Sequence, residues 1–240
     1  MPVFTVNEFH EIDTVLDLVF CLDTTGSSIA VDQVRRGIKH FVDDCFRIYS
    51  SAQTPIVKLR ARFILFKSFR QTSEAIVQSR FFVLPDEMDE ALAFLVVSDY
   101  SGGDAEGQNA FEALATAINS DWDFCTSYDE NLNYRNLIFL LTDSHAVPLG
   151  SCADCDGYPD GMPETFDELA KMWEDLERHT LKGKMKSRIV LFAPECEEWE
   201  PLNFSWLSTF SVGAAGLGLG CSEVDVLGVI EMTRFAWWDE

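Results

Sequence analysis

The sequence predicts an α/β fold: a doubly wound, mostly parallel central sheet flanked by helices on both faces. Three observations carry this. Two near-continuous apolar stretches, Leu16–Leu22 and Leu137–Leu141, run up to a closing carboxylate, Asp23 directly and Asp143 after Thr142; a strand buried on both faces reads as such a run. Strand-like stretches then alternate with segments of helical period, the order that builds a parallel sheet through crossover helices. Finally, 240 residues at 47% hydrophobic are enough to bury one sizeable core, and no internal repeat or low-complexity linker divides the chain. One domain over residues 1–240 is expected, with its core over about 14–235.

Residues 1–12 read as a lead-in and 14–22 as the first strand. Val31, Val34, Ile38, Phe41, Cys45 and Ile48 recur at steps of three and four, an apolar helical stripe that stops near Ser50-Ser51, ahead of Thr54-Pro55. Val57, Leu59, Ala61, Phe63 and Leu65 alternate with Lys58, Arg60 and Arg62, the period of a strand with one wet face, placed towards the sheet edge. A partner strand is expected over 76–83, and Pro85-Asp86-Glu87 opens a helix to about Val97. Ala110, Phe111, Leu114, Ala117 and Ile118 mark the next helix, and 136–142 the next strand. His145 to Pro163 is rich in Gly, Pro and Asp and long for a connection inside a compact domain. Phe166, Leu169, Met172, Trp173 and Leu176 give another amphipathic helix, and Ser187–Ala193 another buried strand. A segment with Trp199 and Trp206 follows, then the glycine-rich Val212–Gly220; Ser222 with Asp225 opens a last helix as a variant capping box.

Chemistry concentrates where strands end. Open parallel sheets bind ligands at the carboxyl ends of their strands. Asp23, Thr25 and Ser27 alternate along the turn after the first strand and offer only oxygen, the donor suited to a hard cation such as Mg²⁺, Mn²⁺ or Ca²⁺. Taken alone, the same turn is equally an ordinary helix start with Ser27 or Ser28 as N-cap. Two further places supply carboxylates to the same edge: the glycine-rich turn Ser101-Gly102-Gly103-Asp104-Ala105-Glu106, and Asp143 closing Leu140-Leu141-Thr142.

Asp-x-Thr-Gly-Ser after the first strand, Gly-Gly-Asp before a middle helix and Leu-Leu-Thr-Asp at a later strand end together resemble the von Willebrand factor type A domain and its metal-ion-dependent adhesion site. The resemblance covers nearly the whole chain. It implies a Rossmann-like sheet and a magnesium-type site in which Asp23, Thr25 and Ser27 form the first ligand loop, Asp104 the second and Asp143 the third. It also implies a non-enzymatic protein-interaction module, in which an Asp or Glu of another protein completes the metal shell. Thr25 stands where the family commonly has Ser, which retains a hydroxyl. Asp104 stands where Thr is common; the added charge favours the metal and weakens attraction for an acidic ligand. Cytoplasmic bacterial members with these motifs look like parts of multi-protein stress or conflict systems, such as those related to tellurium resistance or working with MoxR-type ATPases.

Competing patterns are poorer matches. Asp23-Thr24-Thr25 resembles the nucleophile loop of haloacid dehalogenase-type phosphatases, but Thr25 stands where that family has its second Asp, the general acid. A metal-dependent phosphohydrolase is therefore the enzyme alternative. Cys152-Ala153-Asp154-Cys155, with His145 upstream, offers a zinc-stabilised scaffold or a redox pair, yet no second C-x-x-C completes four zinc ligands; reduced loop thiols are the expectation. Gly216-Leu217-Gly218-Leu219-Gly220 lacks the spacing and the lysine of a phosphate loop. Ser27 and His145 lack a G-x-S-x-G elbow.

The formal net charge of −22 argues against nucleic-acid and anionic-membrane partners, which call for basic patches. The basic clusters at Arg35, Arg36 and Lys39, at Lys58, Arg60 and Arg62, and at Lys182 to Arg188 read as solvated faces. No apolar run reaches the ~18 residues of a membrane span, and Met1–Glu8 lacks a signal core. Seven cysteines are an odd count, and Cys21 and Cys45 fall on apolar faces as small buried hydrophobes do. A cytoplasmic location is the expectation.

Overall fold

The computed structural model describes residues 13–25, 29–51, 54–97, 107–126, 128–142, 144–178, 185–193, 197–205 and 209–213. Its elements are β1 (Thr14–Asp23), α1 (Ile29–Ser51), β2 (Ile56–Phe66), β3 (Ile76–Gln78), β4 (Phe82–Leu84), α2 (Met88–Val97), α3 (Ala110–Ile118), α4 (Asp123–Thr126), β5 (Asn133–Leu141), α5 (Phe166–Arg178), β6 (Met185–Ala193), α6 (Glu200–Ser205) and β7 (Thr209–Gly213). The strands form one mixed sheet in the order β3-β2-β1-β5-β6-β7, with β4 also paired to β2. β2, β1, β5, β6 and β7 run parallel, while β3 and β4 are antiparallel to β2.

β1 is central and buried along its whole length, which is why its sequence is apolar on both faces. Its even positions Leu16, Leu18, Phe20 and Leu22 face α1 and α2, packing with Val31, Ile38, Phe41, Cys45, Ala91 and Leu95. Val15, Val19 and Cys21 face the other layer, where Phe111 and Leu114 of α3, Leu169 and Trp173 of α5 and Leu202 of α6 cover the sheet. The register places Phe63, Phe20 and Phe139 side by side across β2, β1 and β5. Their rings stack at 5.6 and 4.9 Å between centroids, and Phe41 of α1 meets Phe20 and Phe139 edge-on. Two helical layers on a mostly parallel sheet meet the expectation.

The wet face expected for β2 is corrected. Arg60 is only 12% exposed at its side chain, because α4 and Phe81 close over it. Its Nε and one terminal nitrogen donate to the two oxygens of Asp17 at 2.8 and 2.5 Å, and the Asp123 amide donates to the same carboxylate at 2.7 Å. Lys58 pairs with Asp123, and the Arg60 guanidinium lies 4.3 Å from the Phe81 ring centroid. Burial pushes the Asp17 carboxyl up, opposed by the Arg60 fork. Burial works against the Arg60 charge, yet Asp17 raises its pKa overall. Lys58 and Arg60 are thus one side of an ion-pair cluster fixing α4 to the sheet, while Arg62 donates to Ser79 O and to Gln78.

Other differences are smaller. The strand expected over 76–83 is two three-residue strands, separated where Ser79 turns its backbone N–H to Phe63 O and accepts the Phe63 N–H on its hydroxyl. β7, α4, α6 and the 3-10 turn Glu197–Trp199 have no counterpart in the sequence reading. The expected last helix at Ser222 and the glycine run beyond Gly213 lie outside the described residues. No helix among the described residues is long and apolar enough to cross a membrane.

Candidate functional site at the carboxyl edge

The carboxyl ends of β1, β2, β5 and β6 meet around Asp23. Thr24 extends the β1–β2 pairing by giving both its N–H and its hydroxyl to Phe66 O, at 2.9 and 3.1 Å. Thr142 extends the β5–β6 pairing through its N–H alone, which reaches Phe192 O at 2.9 Å. Because Leu22 lies beside Leu141 in register, the next residues, Asp23 and Thr142, are brought together across the strand ends.

The Asp23 side chain is held from two sides. Oδ1 accepts the Thr25 N–H at 2.8 Å and the Thr25 hydroxyl at 2.6 Å; Oδ2 accepts the Thr142 hydroxyl at 2.6 Å. The residue is 3% exposed. Thr142 Oγ1 also accepts the Ser144 N–H at 3.1 Å, so that hydroxyl is used as both donor and acceptor. Both threonine protons point at the carboxylate, and a hydroxyl that donates its proton keeps its lone pairs turned outward. The donor set is oxygen throughout, the type that suits a hard cation, and Asp23 carries the negative charge among the two threonine hydroxyls.

The structure therefore joins Asp23 and Thr25 of the expected ligands. Ser27, Asp104 and Asp143 lie outside the described residues. Thr142 was missed by sequence reasoning, which passed over it to Asp143; the available signal was a hydroxyl residue directly before a strand-final aspartate. Among the described residues, no three His, Cys, Asp or Glu side chains gather into a metal-holding group.

The long connection after β5 packs beside this edge. Gln108 N donates to His145 O and Val147 N to Gln108 O, at 2.9 and 2.8 Å. These bonds form a parallel bridge between Gln108 and Ala146 that ties the approach to α3 to the segment following Asp143. The connection expected to be irregular is a chain of tight turns closed by Pro148–Ser151, Gly150–Ala153, Cys152–Cys155 and Cys155–Tyr158 bonds. Val147 and Cys152 share a small apolar cluster with Phe69 and Ala75. Glu112 of α3 reaches into it, its Oε1 accepting the Tyr158 hydroxyl at 3.2 Å and the Gly150 N–H at 3.4 Å. Among the described residues no hydrogen bond reaches its buried Oε2, and burial pushes the Glu112 carboxyl up, opposed by the Asn109 side chain. His145 is paired with Glu198 at 3.4 Å.

No protein-family model and no curated protein matches the sequence. Solved structures are similar in fold. The pilus adhesin SpaC from Lactobacillus rhamnosus GG superposes with a TM-score of 0.51 at 10% identity, over 93% of this chain and 31% of that one. An open conformation of the same adhesin gives 0.47 at 10% identity, over 93% and 30%. The human COPII-coat protein Sec24c gives 0.48 at 10% identity, over 96% and 33%. The chain thus spans roughly a third of the length of these proteins. The first of these likenesses concerns fold alone; with the strand order, the architecture is consistent with a Rossmann-like or von Willebrand factor A-like fold.

Proposed function

We propose that the carboxyl edge around Asp23 is a divalent-cation site through which the protein binds another protein, the partner supplying an Asp or Glu side chain. One observation supports this above the others: a buried aspartate at the end of the central strand takes the hydroxyl protons of both Thr25 and Thr142, which gathers three oxygen-bearing side chains at the strand ends. Asp23 and Thr25, with Ser27, Asp104 and Asp143 from the adjoining loops, would hold Mg²⁺, or Mn²⁺ or Ca²⁺ in its place. The ion, when bound, supplies a Lewis-acidic position for a carboxylate.

Binding rather than turnover is part of the same reading. A nucleophilic Asp23 would have to release an oxygen from this network, since both carboxylate oxygens already accept hydrogen bonds. The general acid of a phosphohydrolase would stand at Thr25, whose proton is committed to Asp23. The setting implied by the family resemblance, a cytoplasmic multi-protein stress system in bacteria, belongs to the proposal too.

The test is thermal unfolding in Mg²⁺. At about 100 Kd a ligand of the folded state adds roughly 2.7 kcal/mol, or about 5–10 °C for a chain of this size. That rise should be lost in Asp23→Ala and reduced in Thr142→Val. An equal rise in Asp23→Ala places the ion elsewhere on the acidic surface. Pull-down from lysate with and without EDTA, beside a phosphatase assay, then separates partner capture from hydrolysis.

A further inference from the structure

The Cys152-Ala153-Asp154-Cys155 segment has geometry that its sequence only hinted at. The Cys155 N–H donates to Cys152 O at 2.9 Å, which makes the four residues a closed β-turn. Such a turn brings its first and last Cα within about 7 Å, overlapping the ~4.4–6.8 Å that a disulfide spans. Both side chains also pack on the same small apolar cluster, Cys152 within it and Cys155 against it. Both sulfurs are free thiols. They differ in access: Cys152 is 0% exposed within the cluster of Phe69, Ala75 and Val147, while Cys155 packs on the rim of that cluster and is half-buried.

We propose that Cys152 and Cys155 form a reversible redox couple, in which Cys155 receives a small-molecule disulfide from solvent and Cys152 resolves it from inside. The exchange balances. The Cys155 thiolate, having released its proton to water, attacks one sulfur of the reagent disulfide; that S–S bond breaks and one reagent thiolate leaves. The Cys152 sulfur, losing its own proton, then attacks the Cys155 sulfur of the mixed disulfide. The internal S–S bond forms and the second reagent thiolate departs. Two protein thiols are oxidised and one reagent disulfide is reduced to two thiols.

The turn already has the closed geometry, so the covalent ring locks the conformation that the thiols occupy. It lies in the connection tied to Gln108 and Glu112, so the locked state stiffens the segment between Val147 and Tyr158. Burial and the neighbouring Cys152 push the Cys155 thiol up, opposed by the charge of Arg70; the first attack is therefore slow at neutral pH and quickens as pH rises. Cys21 and Cys45 are buried on opposite faces of the sheet, out of reach of such a reagent. Exposed Cys125 is the internal control for simple accessibility. The couple is independent of the cation site, which uses oxygen ligands alone.

The experiment equilibrates the full chain in reduced and oxidised glutathione at fixed pH, with EDTA present, then quenches with acid, alkylates and maps the peptides by mass. The expected result is a 152–155 disulfide, lighter by two hydrogens, that grows with the oxidised fraction and reverts in dithiothreitol. Amide exchange over 150–158 slows with it. Cys152→Ser should trap glutathione on Cys155. If that variant fails to fold, Cys155→Ser decides alone, because Cys152 should then stay unmodified. A persistent glutathione adduct on Cys155 in the unaltered chain overturns the proposal, as does modification of Cys152 in Cys155→Ser.

Discussion

The ion-pair cluster beneath α4 gives the sharpest quantitative expectation. Arg60→Ala removes two of the three N–H donors that the structure shows on the Asp17 carboxylate and leaves that carboxylate, 1% exposed, with the Asp123 amide. Breaking a buried pair from one side costs about 3–5 kcal/mol. Water can reach the space left by Arg60, which already touches solvent, so the lower end applies. Loss of the guanidinium from the Phe81 ring adds about 0.5–1 kcal/mol. A loss of about 3–4 kcal/mol lowers the melting temperature by roughly 6–16 °C at this chain length. Asp17→Asn keeps the shape but sets an amide against the guanidinium, and should cost about 2–3 kcal/mol. Urea unfolding followed by circular dichroism measures each, and the double variant closes a thermodynamic cycle with a coupling of about 1–3 kcal/mol. Replacing both residues by Leu should recover much of the loss. Single losses below about 1 kcal/mol, or no coupling, would mean the pair behaves as a screened surface bridge and that α4 is held by other contacts.

Three further outcomes can be checked, besides the Mg²⁺ melting series and the thiol titration above. Glu112 is protonated more readily in the folded than in the unfolded chain, because burial raises its carboxyl; stability is therefore full below the ordinary glutamate value and falls as pH rises through the raised one. Glu112→Gln should flatten that part of the pH–stability curve, and an unchanged slope would exclude Glu112 as its source. Gly157→Ala should destabilise by at least about 2 kcal/mol, since φ is +79° and an added Cβ would lie 2.0 Å from Ser73 O. Gly161→Ala, at φ +76° with nothing within 4 Å, should cost only the backbone strain, about 1 kcal/mol; equal losses at the two positions would show that the approach to Ser73 is relieved by movement.

The sequence announces what lies on a buried period and hides what depends on distant partners. β1 and β5 are legible because burial on both faces leaves a continuous apolar run, and Asp23 stands out as the polar residue that ends one. Arg60 was misread because a cation alternating with apolar residues looks the same whether it faces water or a carboxylate 43 positions earlier in the chain. Thr142 was passed over because its role exists only through the register that brings it to Asp23. β7 was missed because five residues leading into a glycine run give too short a pattern. The turns of 148–158 contain the Gly and Pro that marked an irregular loop, and only their backbone bonds show them to be ordered.

The interrupted pairing along the outer side of β2 also bears on how the molecule meets its neighbours. β3 and β4 are three residues each, and the break at Ser79–Phe81 denies an incoming strand a long row of peptide groups to continue. The outward Val83 N–H is occupied by the Glu87 carboxylate at 2.6 Å, and Arg80 clamps Glu87 and Glu90 across the same flank. Val77 and Val83 are exposed there at 43% and 37%, side chains that on an open, uninterrupted edge would invite stacking into fibrils. Here a charged clip and a broken strand leave that border poorly suited to strand-by-strand addition. Glu87→Ala should betray the device by seeding aggregation without unfolding the core.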